Sequence, residues 1–248
     1  MIKLNILNSK KFGRQLKQLS VLLLGWGMLW GSAIAKPLSV DEMQPSPEGV
    51  QRVSDWRALI SDSAELSDRE KLQRVNEFFN RTIRYGEDID VWQQADYWAS
   101  PLETLEKGRG DCEDFALAKY FTLRLLGVPE RTLRVVYATQ TSTQQAHMVL
   151  GYWQNADADP LLLDNLGNDI RSTAQRNDLN VKFAFDETGL YAFDHAQFKP
   201  VGNVGQLPDW LPLVKRAKRE ESDLMNRDEG GASSGLMLSA ARSEYKRY

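Results

Sequence analysis

Residues 111–126, DCEDFALAKYFTLRLL, constrain the fold more than any other stretch of this 248-residue chain. They read as one helix, stopped by Gly127 and Pro129. Ala116, Leu117, Tyr120, Phe121, Leu123 and Leu125 leave that helix without a continuous polar face. A surface helix carries one apolar stripe, whereas a helix apolar all round has to be covered on every side. The rest of the chain must supply that cover.

The flanks are suited to it. Residues 51–85 read as helical. Leu72, Val75, Phe78, Phe79 and Ile83 recur near a 3.6 period, and Ser67 with Glu70 makes a capping box. Pro101 is placed to open a short further helix. Downstream, residues 133–139, 146–153 and 160–165 have strand character, and turn-like linkers predict antiparallel hairpins. Residues 181–193 read as another hairpin, turning at Asp186–Gly189. Helices, then a buried helix, then strands predict an α+β fold with that helix packed on an antiparallel sheet. A net charge of -3 speaks against a nucleic-acid binder, which is usually basic.

The first 35 residues differ from the rest. A run of lysines and Arg14 precedes an apolar segment that ends in Ala33-Ile34-Ala35, the pattern of an export signal with a small-residue cleavage site. The segment falls slightly short of the ~20 residues a membrane-spanning helix needs, so cleavage is favoured over a retained anchor. The expected organisation is a signal peptide over 1–35, an extended lead-in over 36–50, one domain over 51–225 and a mobile tail over 226–248. Export implies the periplasm or beyond, an oxidising space in which thiols pair. This chain has one cysteine, Cys112, which cannot pair within its own chain and therefore calls for an explanation.

Cys112 lies at the start of the buried helix, where the helix dipole and free N–H groups favour a thiolate. The backbone N–H of Cys112 or Glu113 could also assist an oxyanion. A cysteine nucleophile needs a base and a group that orients the base. There are two histidines. His147 opens the second strand and Asp164 closes the third, so paired strands would present the carboxylate to the imidazole. His195, next to Asp194, is the fallback base. Trp98 is a weak candidate to line the cleft or to donate its indole N–H to the oxyanion, with aromatic packing as the alternative.

Three carboxylates surround the cysteine: Asp111, Glu113 and Asp114. At an effective dielectric of ~20, one charge ~4 Å away is worth about 4 kcal/mol before screening, and all three oppose the thiolate. An acidic helix start accounts for one or two of them. Three suggest a hard cation such as Ca²⁺, although the spacing matches no EF-hand loop. A bound ion would offset the local field and favour the thiolate.

Three segments, SPLETLEKGRGDCEDFALAKYFTLRLLGVP, AHMVLGYW and LLLDNL, together resemble the bacterial transglutaminase-like cysteine proteinases over about residues 50–215. The resemblance implies a papain-like, transglutaminase-like core with Cys112 as nucleophile, His147 as general base and Asp164 as its orienter. It implies Ca²⁺ dependence, with Asp111, Glu113 and Asp114 at ligand positions and Thr132 as a candidate further ligand. It also implies a periplasmic protease that cuts the N-terminal region of a large surface adhesin beside paired small residues, commonly Ala-Ala. Such a cut releases the adhesin and disperses a biofilm, and an inner-membrane cyclic-di-GMP receptor sequesters the protease. Two other readings fit the same residues: a transglutaminase-type acyltransferase, and a calcium-binding module with a vestigial triad.

Overall fold

The computed structural model describes residues 46–228 apart from 156, 157 and 196. The expected signal peptide, residues 36–45 of the lead-in and the tail from 229 onward lie outside the described residues.

Helix α1 (Pro47–Ser63) starts inside the expected lead-in, because Ser46 caps it by accepting from Gly49 N and Pro47 occupies the first turn. Helix α2 (Asp68–Thr82) opens with the capping box of Ser67 and Glu70. A two-residue strand β1 (Arg84–Tyr85) and a single turn α3 (Asp88–Val91) follow. Helix α4 (Pro101–Lys107) has a second capping box, from Ser100 and Glu103, and ends at Gly108 in the left-handed region, φ 65°. Strand β2 (Arg109–Gly110) pairs in parallel with β1, an element that periodicity did not announce.

Helix α5 (Cys112–Leu125) is the buried helix, and every residue from Asp114 to Leu123 is buried. Its cover comes from both sides. Helices α2 and α4 pack against one side, and strands β3 (Leu133–Gln140) and β4 (Ala146–Tyr152) against the other. Trp56 of α1 donates its indole N–H to Thr122 Oγ1 at 2.9 Å, so a polar residue inside the core is satisfied. Lys119, also fully buried, donates to Asn80 Oδ1 at 2.7 Å.

The remaining strands are β5 (Leu161–Leu163), β6 (Arg171–Ser172), β7 (Leu179–Phe185), β8 (Leu190–Asp194) and β9 (Gln197–Gly202). They complete a sheet in the order β6-β5-β4-β3-β7-β8-β9, antiparallel at every pairing. The hairpin expected over 181–193 is β7–β8, and Asp186 Oδ1 stabilises its turn by accepting from Thr188 N and Gly189 N. Strand β9 extends the meander beyond the expected strands. Val136, Ala138, Val149, Trp153, Leu162, Leu179, Val181 and Ala184 form an apolar cluster under Phe193 and Phe198.

Helix α6 (Trp210–Asp228) runs a little past the expected domain end at 225. It is anchored by Trp210, fully buried against Tyr120, Phe121 and Phe185. Loss of such a ring from a core typically costs about 3–5 kcal/mol. Farther along, Arg216 donates to Trp98 O at 2.5 Å, and Glu220 accepts from the Ser100 hydroxyl and from Leu102 N. Thus α6 braces the start of α4 and the loop before it, one of the segments that surround the cysteine.

Candidate active site and metal site

The site forms where α5 begins. Gly108 turns the chain out of α4, and the β1–β2 pairing sets Tyr85 beside Gly110, with Gly86 N donating to Gly110 O at 2.9 Å. Glycine at 110 has a steric reason: a methyl group there would lie 2.5 Å from Asp114 Oδ2. Asp111 occupies the cap position of α5, yet its side chain makes no capping hydrogen bond. Its Oδ1 is left buried without a hydrogen-bond partner, while the carboxyl group also interacts with Glu113.

On one side of Cys112 stands a paired charge system. His147 Nε2 and Asp164 Oδ1 are 2.8 Å apart, with both side chains almost wholly buried. With the carboxylate accepting from Nε2–H, Nδ1 is left as the basic nitrogen. Asp164 Oδ1 also accepts from Leu166 N at 3.0 Å, and Oδ2 from Arg176 Nη2 at 2.7 Å. Asn80 donates to the Asp164 carbonyl at 2.8 Å and thereby holds the end of β5. Burial alone would push Asp164 up, but its bonds to His147, Leu166 and Arg176 outweigh burial and hold it well below the usual carboxylate range. The backbone N–H of Met148, the residue after His147, favours the Cys112 thiolate, so the sulfur lies near β4, the strand that packs on α5.

The other side is an acidic cluster. Cys112 Sγ donates to Glu113 Oε2 at 3.1 Å. Burial pushes the thiol up, Glu113 and Asp111 push it further, and the Met148 N–H opposes them. Carboxylate oxygens of Asp88, Asp111 and Asp114 lie within 4.8 Å of one another, as do those of Asp88, Asp96 and Glu113. Asp88 Oδ1, Asp111 Oδ1 and Asp114 Oδ2 are buried without a hydrogen-bond partner, as is the indole nitrogen of Trp92. The second oxygens are used: Asp88 accepts from Tyr97 N at 2.5 Å, and Asp114 from Ala99 N at 2.9 Å. Burial raises Asp88 to about 7, and burial reinforced by neighbouring carboxylates raises Asp111 and Asp114 as well.

Orphaned buried carboxylate oxygens are costly. Here they converge at a spacing compatible with Ca²⁺, whose oxygen ligands stand 2.3–2.6 Å from the ion and hence up to about 5 Å apart. Hard oxygen donors from Asp88, Asp111, Glu113 and Asp114 suit such an ion, and a thiol does not. The donor set therefore fits the cation.

The sequence had singled out Asp111, Glu113 and Asp114. The structure gathers Asp111 and Asp114 with Asp88, and Glu113 with Asp88 and Asp96. Asp88 and Asp96 were missed; the acidic stretch GEDID was a visible signal for Asp88, whereas Asp96 stands alone in QQADYW. Arg176 was missed too. Trp98 is buried with its ring stacked on Phe185 at 5.6 Å, the aromatic packing that was the alternative to an oxyanion role. Thr132 is no ligand, because it follows the far end of α5 and its hydroxyl donates to Pro129 O at 2.6 Å. His195 sits exposed in the β8–β9 turn at φ 49°, beside Asp194 at 3.5 Å, and cannot serve as a base for Cys112.

A family profile described as bacterial transglutaminase-like cysteine proteinase BTLCP matches residues 55–183. No curated protein matches the chain. Solved structures do. Legionella pneumophila LapG is 36% identical over 69% of this chain and 89% of its own, with a TM-score of 0.62. Its EGTA-treated form aligns over 91% of that chain at a TM-score of 0.63, and its calcium-bound form over 92% at 0.61.

Proposed function

Because this chain belongs to the bacterial transglutaminase-like cysteine proteinases, we propose that it is a calcium-dependent cysteine endopeptidase with Cys112, His147 and Asp164 as its triad. The observation that carries this reading is the buried 2.8 Å contact between His147 Nε2 and Asp164 Oδ1, with His147 on β4, the strand that packs against the helix opened by Cys112.

In this mechanism Nδ1 of His147 takes the thiol proton, and Asp164 stabilises the resulting imidazolium without itself being protonated. The thiolate attacks a peptide carbonyl. A sulfur–carbon bond forms, the peptide C–N bond breaks, and the amine leaves with the proton returned by His147. Water, deprotonated by His147, then hydrolyses the thioester. The first N–H groups of α5, which Cys112 opens, would stabilise the developing oxyanion. Asp88, Asp111, Glu113 and Asp114 would hold Ca²⁺, which supplies positive charge that offsets the acidic field at the sulfur. The calcium-bound and EGTA-treated forms of LapG support this assignment.

The proposed substrate is the N-terminal, periplasm-facing region of a large surface adhesin, cut beside paired small residues such as Ala-Ala. Its cleavage would release the adhesin and disperse a biofilm. A cyclic-di-GMP receptor of the inner membrane is the proposed sequestering partner, and the periplasm, reached through a cleaved signal, the proposed location. These readings rest on the family resemblance. The deciding experiment is mass spectrometry of candidate adhesin fragments incubated with wild type and Cys112→Ala, with Ca²⁺ or EGTA and with a primary amine present. Calcium-dependent cleavage by wild type alone is expected. Amine incorporation without cleavage would make the protein an acyltransferase, and wild-type cutting by Cys112→Ala would refute the nucleophile.

A further inference from the structure

No motif in the sequence marks the cation that completes Asp164. Arg176 is almost wholly buried, with 9% of its side chain exposed, an unusual place for an arginine unless it is paired. Its Nη2 donates to Asp164 Oδ2 at 2.7 Å and to Asp178 Oδ2 at 2.7 Å, and its Nε donates to Asp178 Oδ1 at 2.8 Å. Asp164 Oδ1 is already engaged by His147 and by Leu166 N. Among the described residues, Arg176 is therefore the donor that occupies Oδ2. The terminal torsion of an aspartate is soft, so a carboxylate held by one oxygen can swing and let go of its partner. A second charge-assisted bond locks it. Asp178 grips the guanidinium along its Nε–Nη2 edge and fixes its plane.

Resting on the triad reading above, we propose that Arg176 is a positioning residue of the active site: it pins the Asp164 carboxylate so that His147 is held as the Nε2–H tautomer, with Nδ1 kept for the proton of the nucleophile. The competing role is purely structural. Arg176 N donates to Thr173 O, and Arg176 O accepts from Leu179 N, so the residue also belongs to the turn that leads into β7.

The chain has two histidines, and the side chain of His195 is 87% exposed. Labelling the calcium-supplemented protein with ¹⁵N-histidine therefore yields one buried ring and one solvent-exposed reference. In wild type, His147 should be a single Nε2–H tautomer whose ring proton is far downfield and slow to exchange with water. In Arg176→Gln that proton should exchange roughly tenfold to a hundredfold faster, the range set by one hydrogen bond to a charged group, and both tautomers should be present. Cleavage of an Ala-Ala peptide should lose kcat with KM unchanged. Arg176→Lys, which keeps a cation but not the two-pronged donor, should fall between.

A folded Arg176→Gln protein that melts lower, yet keeps the wild-type tautomer and exchange rate, overturns the proposal. Should that variant not fold, Arg176→Met, which keeps the buried stem, takes its place. Should neither fold, Arg176→Lys decides: a disturbed tautomer supports the proposal and a wild-type one overturns it. Asp164→Asn separates the proposal from its premise. If it leaves the His147 signal unchanged, the triad reading falls, and the proposal with it. Loss of the signal in Asp164→Asn with retention in Arg176→Gln removes only the role of Arg176.

Discussion

The two sides of Cys112 carry similar charged groups and treat them oppositely. Toward β5, a single carboxylate, Asp164, has both oxygens bonded, to His147, Leu166 and Arg176, and its affinity for protons is depressed. Toward α3, carboxylates crowd together, three of them keep a buried oxygen without a partner, and their affinity for protons is raised. The chain carries its own counter-charge on the first side, and on the second the proposed Ca²⁺ would supply it. A charge supplied from within operates whenever the protein is folded, whereas one taken from solution makes the site conditional on that ion.

The sharpest way to break the self-contained side is Asp164→Asn. The amide cannot stabilise an imidazolium and leaves Arg176 short of a partner, so kcat should fall by roughly 10³–10⁴ with the fold retained. A loss of less than tenfold, measured by peptide cleavage, would remove Asp164 from the triad.

The open side is best tested by chelation. Without metal, Asp88 is raised to about 7 in the folded state against an ordinary aspartate value of 3.8, and burial also raises Asp111 and Asp114. A folded-state value above the unfolded one gives stability that is complete below the unfolded value and is lost as pH rises through the folded value. In EGTA the protein should therefore melt several degrees lower at pH 8 than at pH 5. Ca²⁺ should reverse that order, because deprotonated ligands bind it better. Calorimetry that shows no calcium-dependent change at pH 8 would sever the acidic cluster from metal binding.

Asp88→Asn sharpens the comparison at one residue. Loss of a ligand charge should weaken Ca²⁺ binding about tenfold or more by titration calorimetry. The same change removes a buried like charge, so the chelated protein should melt a few degrees higher at pH 8. Lower stability in both states would mean that Asp88 only supports the backbone at Tyr97. The smallest effect belongs to His195→Ala: the residue is exposed and remote, so cleavage rates should stay within about a factor of two of wild type.

Much of the fold was readable from the chain. Helix α5 announced itself because its residues are apolar on all faces, and the hairpins because turn-forming linkers separate short apolar runs. His147 and Asp164 stand at the edges of adjacent strands, so local pattern sufficed to place them near each other. The start of α1 was misplaced by a few residues, because a proline-rich stretch reads as extended until Ser46 is seen to cap a helix. Strand β9 was missed because its residues are mostly exposed and show no clean alternation.

What the sequence alone determined is local: a buried helix that starts at a lone cysteine among acids, followed by antiparallel strands that bear a histidine and an aspartate. Which acids meet, and which cation completes Asp164, was decided only in three dimensions. Asp88 joins Asp111 and Asp114 because the short parallel pairing of Tyr85 with Gly110 draws two loops together, and Arg176 reaches Asp164 across the turn before β7. Periodicity records the neighbours of a residue along one element, whereas burial brings together groups whose separation along the chain leaves no periodic trace.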